Sequence, residues 1–252
     1  MEAKDEVPFP PLLPSAVRRW LGLALLLRWV PVASWIGGGI AIGTGAALGH
    51  WRAGGAGPAS SGERALAVAL IAAAGVLLQG LAAHAWNDRE DWRSGTDPAN
   101  LAPLSGGSKA VHRRLLGAGH LTWTAATAVA AAGLIALHFT LHRGLAALRL
   151  WLIAVWAAAA YSLPPLRLAY RPLAGEWLCA WPAVVAGAVG TFYLLTGTLT
   201  LPVLAAGALH GLFCLAWLMQ HHLADVPADL AAHPAKLTTP AWLYRWALTA
   251  RP

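Results

Sequence analysis

A chain of 252 residues that is 58% hydrophobic and only 12% charged has too little polar surface for a soluble globular domain and reads as a polytopic membrane protein. Its formal charge of +7 and pI near 10.1 do not mark a nucleic-acid binder, because Lys and Arg fall mainly between apolar runs, where they set membrane orientation. Two cysteines, Cys179 and Cys214, both lie inside apolar runs, which excludes a disulfide framework and offers no metal-binding pattern.

Residues 1–28 are expected to be cytoplasmic. "MEAKDEVPFPPLLP" puts acids and prolines where a signal peptide needs a basic start. "SAVRRWLGLALLLRWV" then sets Arg18, Arg19 and Arg28 around an apolar patch, as an interfacial helix or a plain basic flank does. Residues 29–252 form the transmembrane domain. Apolar runs near 29–49, 65–86, 115–140, 150–163, 177–197 and 201–222 are candidate spans of about 20 residues, the fourth short unless extended back through Arg149. Unbroken runs of this length predict helices and not barrel strands, hence an all-α polytopic bundle. The "GGGIAIGTGAALG" run in the first span suits close helix packing, since no strand precedes it and it lies within the membrane.

Charge orients the bundle. With the N-terminus inside, Lys4, Arg18, Arg19, Arg28, Arg89, Arg93, Lys109, Arg113, Arg114, Arg167, Arg171 and Lys236 share one side, and only Arg52, Arg64, Arg143 and Arg149 share the other. By the positive-inside rule the first side is cytoplasmic. Its loops, 87–114, 161–176 and 221–239, carry the chemistry, whereas the outer connections "HWRAGGAGPASSGER" and "TGTLTL" are bland.

Six of the 11 acids fall in two clusters: Asp88, Glu90, Asp91 and Asp97 after the second span, Asp225 and Asp229 after the sixth. On a helix, Asp88 and Asp91 share a face, as do Asp225 and Asp229. Glu90 is expected to point away and to pair with Arg89 or Arg93. Asp97 would lie opposite Asp88 on a continuous helix, so Gly95 is expected to end the helix and fold the chain back. A lone juxtamembrane acid merely marks the water boundary. Two like-charged pairs make sense when a cation lies between them, and hard oxygen ligands favour Mg²⁺, which typically bridges carboxylates to substrate phosphates. Arg93, Lys109, Arg167, Arg171 and Lys236 supply the positive charge a diphosphate needs. "LSGGSK", residues 104–109, reads as a simple turn or as a substrate loop whose amides face an anion. His84, one turn before Asp88, reads as a packed or cavity-facing histidine, and His221 and His222 lack zinc spacing.

These motifs resemble those of the UbiA superfamily of intramembrane aromatic prenyltransferases, above all its 1,4-dihydroxy-2-naphthoate branch in menaquinone synthesis. "NDREDWRSGTD" is similar to that branch's first aspartate motif. "YSLPPLRLAYRPLAGE" is similar to the tyrosine loop after the fourth helix, with Arg167 where the family usually has Lys. "DVPADLAAHPAKLTT" is similar to the second aspartate motif, and "PLSGGSKAV" to the glycine loop of some members. The resemblance implies a helical bundle of nine spans, of which six to seven are present, the domain being incomplete at "WLYRWALTARP". It implies an enzyme of the bacterial inner membrane whose active site faces the cytoplasm and transfers an isoprenyl group from a polyprenyl diphosphate to an aromatic acceptor.

Residue by residue, the resemblance places Asn87, Asp88, Asp91 and Asp97 in the first motif and Asp225 and Asp229 in the second. Asp88, Asp91, Asp225 and Asp229 would hold Mg²⁺. Tyr161 and Arg167 would sit over the diphosphate and the reacting carbon, with Ser162, Arg93, Lys109, Arg171 and Lys236 around the substrate. Trp151, Trp156, Trp177 and Trp181 are among the aromatics available to face a carbocation. The chain departs from the family pattern at His221 and Ala224, where Asn and Arg are usual, and at His233 and Pro234, where Gly-Lys is usual. Pro227 belongs in a helix's first turn and not in its interior. Other acceptors of the same fold (4-hydroxybenzoate, a porphyrin, a lipid ether) remain open, as does a truncated, non-catalytic isoprenoid-binding membrane protein.

Overall fold

A computed structural model describes residues 14–99 and 107–250, and their secondary structure is entirely helical. Six helices are long and apolar enough to cross a bilayer, the makeup of a multi-pass membrane protein: Trp29–Arg52, Ser61–Ser94, Ala118–Arg143, Leu145–Ser162, Glu176–Thr196 and Leu201–Ala231. They are called the first to sixth spans below. The fourth does extend back through Arg149, as its length requires.

Ahead of them, the helix Ser15–Leu26 leaves Val17, Trp20, Leu21 and Leu25 exposed and seats Leu26 among Ala82, Ala85, Leu116 and Leu121. This two-faced helix has the apolar flank expected of an interfacial one. The following Arg28 adopts a left-handed backbone, φ 47°, so the chain turns there before the first span begins.

The second span explains how acids sit on a helix yet outside the hydrocarbon. Ser60 and Glu63 form a reciprocal cap at its N-terminal end. Its 34 residues rise about 51 Å at 1.5 Å each, well beyond the roughly 30 Å apolar layer. The surplus turns, which carry Asn87 to Ser94, form a polar extension at the end opposite that cap. Like the first and fifth spans, the second contains a wide π-helical turn; the three lie at Val32–Gly37, Val76–Ala82 and Glu176–Ala180.

Small residues bring the first and fifth spans together. A Cβ added at Gly39 would lie 3.3 Å from the Ala188 amide nitrogen, and one at Gly43 2.7 Å from Thr191 Cβ. Close approach of this kind is how membrane helices gain packing energy when lipid is as apolar as they are. The sixth span is regular to His222, tightens over Leu223–Asp225, and restarts as Val226–Ala231 with Pro227 in the first turn. That is the one helical site where proline costs little. A final helix, Thr239–Thr249, exposes most of its apolar side chains.

Candidate functional site

Gly95 ends the second span in the left-handed region, φ 86°, a conformation that side chains with a Cβ rarely adopt. The chain folds back through Thr96 and carries Asp97 toward the face that bears Asp88 and Asp91. All three are almost completely buried, as is Glu90. Buried carboxylates need partners, and each receives a cation from a different part of the chain. Arg28 pairs with Asp88 and also donates to Asn87 Oδ1 at 3.3 Å. Lys236 Nζ donates to both Asp91 oxygens, at 2.7 and 2.9 Å. Lys109 Nζ donates to Asp97 at 2.8 Å. Arg167 donates to Glu90 at 2.7 Å, while Arg93 approaches the same carboxylate at 3.2 Å.

Glu90 pairs with Arg93, as expected from sequence, and gains a second partner that the sequence did not show. Its carboxylate is buried and, through Arg167, also anchors the loop after the fourth span. Arg167, expected over a diphosphate, is directed onto Glu90.

The second cluster is built differently. Asp225 is buried at the tightened end of the sixth span, and Asp229 follows in the restarted helix. Asp229 Oδ2 accepts from Thr238 at 3.0 Å, and its backbone carbonyl accepts from the Lys236 amide at 2.8 Å. Its Oδ1 is buried with no hydrogen-bond partner. The His233 amide donates to the Ser94 carbonyl at 2.8 Å, so the loop after the sixth span docks on the inner end of the second.

The glycine-containing loop serves the carboxylates. The Ser108 amide lies 3.2 and 3.4 Å from the two Asp88 oxygens, and its hydroxyl donates to the same group. A Cβ at Gly107 would strike the Asp97 carboxylate, so only glycine allows this approach. Leu104, Ser105 and Gly106 lie outside the described residues. Electrostatics follow from the crowding. Burial, then Asp88 and Asp91, push the Asp97 acid up to about 6, with Lys109 opposing. Burial disfavours the Lys236 ammonium, yet Asp91 and Asp229 outweigh it and hold the group above its ordinary value, so it stays charged.

One cavity of about 740 Å³ joins this mouth to the bundle interior. Its inner rim includes Arg28, Asn87, Asp91, Asp97, Lys109, Asp225 and Lys236. Beneath the rim stand Tyr161 and His222, with the phenol oxygen 3.2 Å from Nε2. Deeper walls are apolar and aromatic, with Trp35, Trp151, Trp217 and Phe139, interrupted by Gln79, whose amide donates to the Ala154 carbonyl at 3.0 Å. No known protein family, curated protein or solved structure matches the chain.

Several residues named from sequence lie off this wall. Asp88 and Asp229 stand behind the rim, and Ser162 is buried with an unpartnered hydroxyl. Arg171 is exposed, and Arg93 keeps 54% of its side chain in solvent. Of the tryptophans singled out, Trp151 lines the cavity, Trp156 and Trp177 are exposed, and Trp181 donates to the Ala208 carbonyl at 3.3 Å. Sequence reasoning missed Arg28, Ser108, Thr238 and Gln79 as site residues, and took His222 only as a failed zinc ligand. The advance signals were Arg28's position, basic and immediately ahead of a span, and Ser108's place in the loop LSGGSK.

Among the described residues no three His, Cys, Asp or Glu side chains converge as a ready-made metal cage. That does not conflict with Mg²⁺ in a diphosphate complex, which takes one or two protein carboxylates and completes its shell with water and phosphate oxygen. Asp91 and Asp225 on the wall, with the buried, unpartnered Oδ1 of Asp229 behind them, fit that requirement.

Proposed function

We propose that the protein is a prenyltransferase of the UbiA type, transferring an isoprenyl group from a polyprenyl diphosphate to an aromatic acceptor such as 1,4-dihydroxy-2-naphthoate at the cytoplasmic face of a bacterial inner membrane. The observation that carries the reading is the cavity's polarity: a rim crowded with charge opens into an apolar, aromatic interior. A molecule with a highly charged head and a long hydrocarbon tail matches both halves, and a purely polar or purely apolar ligand matches only one.

Lys109, Lys236 and Arg28 stand on the rim, each held by a carboxylate. Their swing from carboxylate to diphosphate would bind the head and stabilise negative charge on the departing group. Mg²⁺ held by Asp91 and Asp225, with Asp229 behind them, would supply the charge neutralisation that lets an allylic carbon–oxygen bond ionise. Tyr161, tethered by His222, and the indoles of Trp35, Trp151 and Trp217 line the space below the rim, aromatic groups of the kind that stabilise a carbocation where water is excluded.

Prenyl transfer is measured in membranes containing the protein, with Mg²⁺, labelled polyprenyl diphosphate and a panel of acceptors: the naphthoate, 4-hydroxybenzoate, a porphyrin and a lipid ether. Product is expected with one acceptor and is expected to vanish in Asp88→Ala and Asp225→Ala. A second reading, a non-catalytic isoprenoid binder, is favoured by one observation: every carboxylate of the first cluster already holds a resident cation. Diphosphate binding without product from any acceptor would select it.

A further inference from the structure

We propose that Gln79 selects a hydroxylated aromatic acceptor, its amide oxygen taking a hydrogen bond from a hydroxyl on the ring edge that points away from the reacting carbon. The proposal rests on the prenyltransferase reading and adds a specificity residue to the wall, at a distance from the charged rim.

Chemistry fixes the orientation of this side chain. A glutamine amide offers two N–H donors and, on its oxygen, two lone pairs. The Ala154 backbone carbonyl 3.0 Å away can only accept, so the amide nitrogen is the atom that faces it. The amide oxygen accepts no hydrogen bond among the described residues and is not sealed in by them. Gln79 lines the cavity, so the cavity is where that oxygen finds a donor.

The backbone singles out the same position. Gln79 lies within the wide turn Val76–Ala82 of the second span, and π-helical turns frequently mark functional sites. A polar side chain inside a span normally commits its groups to neighbouring protein. Thr191, on the same wall, does so by donating to the Gly187 carbonyl at 2.6 Å. Gln79 commits one donor and keeps its acceptor open, while its neighbours along the second span on that wall, Gly75, Leu78 and Ala83, are apolar.

The surroundings suit an aromatic ring. Trp151 precedes Ala154 by one turn on the fourth span, on the same helix face and on the same wall, which sets an indole beside the point where the glutamine is anchored. Tyr161 follows Ala154 by seven residues on that span, about 10 Å toward the rim. A one- or two-ring aromatic hydrogen-bonded to Gln79 extends across that distance, with its opposite edge beneath Tyr161. A ring without the hydroxyl leaves the glutamine oxygen facing carbon, and a site built to bind a hydroxyl rejects such an analogue for that reason.

The test is binding by the purified protein in nanodiscs of matched compounds: 4-hydroxybenzoate against benzoate, and reduced 1,4-dihydroxy-2-naphthoate against 2-naphthoate. The wild type is expected to prefer the hydroxylated member of a pair by about three- to tenfold, the range of one neutral hydrogen bond. Gln79→Met, which keeps the chain length and removes the amide, is expected to bring that ratio to within about twofold of unity by weakening the hydroxylated member alone. Equal weakening of both members, or an unchanged ratio, overturns the assignment and leaves Gln79 as a tie to the fourth span. A wild type that does not discriminate overturns it as well, and that result depends on no variant folding. Product formation decides the prenyltransferase reading separately: product together with an unchanged ratio removes Gln79 alone. Binding of none of the compounds overturns the assignment, and joined to an absence of product it removes the reading too.

Discussion

Lys236→Met tests whether the rim is held together by its buried ion pairs. The Lys236 ammonium donates to both Asp91 oxygens at 2.7 and 2.9 Å, and the two side chains are only 7% and 5% exposed. Methionine keeps the unbranched length and removes the charge, leaving the Asp91 carboxylate buried without its cation. Breaking a buried pair from one side costs about 3–5 kcal/mol. Both side chains lie on the cavity wall, where water can reach the abandoned carboxylate, so the lower end, about 3 kcal/mol, is expected. For a chain of this size the loss corresponds to a fall in Tm of about 6–12 °C, at roughly 2–4 °C per kcal/mol. The double variant Lys236→Met/Asp91→Leu should recover most of it, because an apolar pair replaces an ion pair at little net cost. The assay is thermal unfolding of detergent-purified protein at fixed pH, single and double variants side by side. A single variant within about 1 kcal/mol of wild type, or a double variant no more stable than the single, would refute the reasoning.

The folded protein binds the Asp97 proton more tightly than the unfolded chain does, since burial and the Asp88 and Asp91 charges raise that acid from 3.8 to about 6. The stabilisation from this group is therefore complete below about pH 4 and is lost as pH rises through about 6. The difference in Tm between wild type and Asp97→Asn should change most between those values, and a flat difference curve would remove Asp97 as its source. Glu90→Gln should cost about 1.5–3 kcal/mol through its charged hydrogen bonds to Arg167 and Arg93. It should also free the loop 163–175, read as faster tryptic cleavage at Arg167; an unchanged cleavage rate would show that the loop is anchored elsewhere.

The spans were legible because hydrophobic runs of bilayer length leave little alternative, and their polar interruptions were legible where backbone chemistry dictates them. Gly95 folds the chain back and Pro227 occupies a first turn, each for a reason local to its own residues. Long-range pairing was not legible. Spacing separates Glu90 from Asp88 and Asp91 on a helix, but whether that other face meets water or protein depends on what packs there. Here Arg167, 77 residues away, arrives to bury it. Arg28 read as a membrane-orienting charge, and only the left-handed turn after the first helix aims it at Asp88. The same limit explains the tryptophans: fourteen are spread along the chain, and helix rotation, which periodicity in a uniformly apolar run does not fix, decides which face inward.

The distribution of counter-ions also orders the assembly of the protein in time. Asp88, Glu90, Asp91 and Asp97 emerge from the ribosome early, and the cation for Asp91 follows 145 residues later. Until then the Asp91 carboxylate is without its cation and is best left in water. Arg28 is already made when the acids appear, and Lys109, Arg167 and Lys236 follow in that order, so the pairing of the rim is completed only when the sixth span has been made.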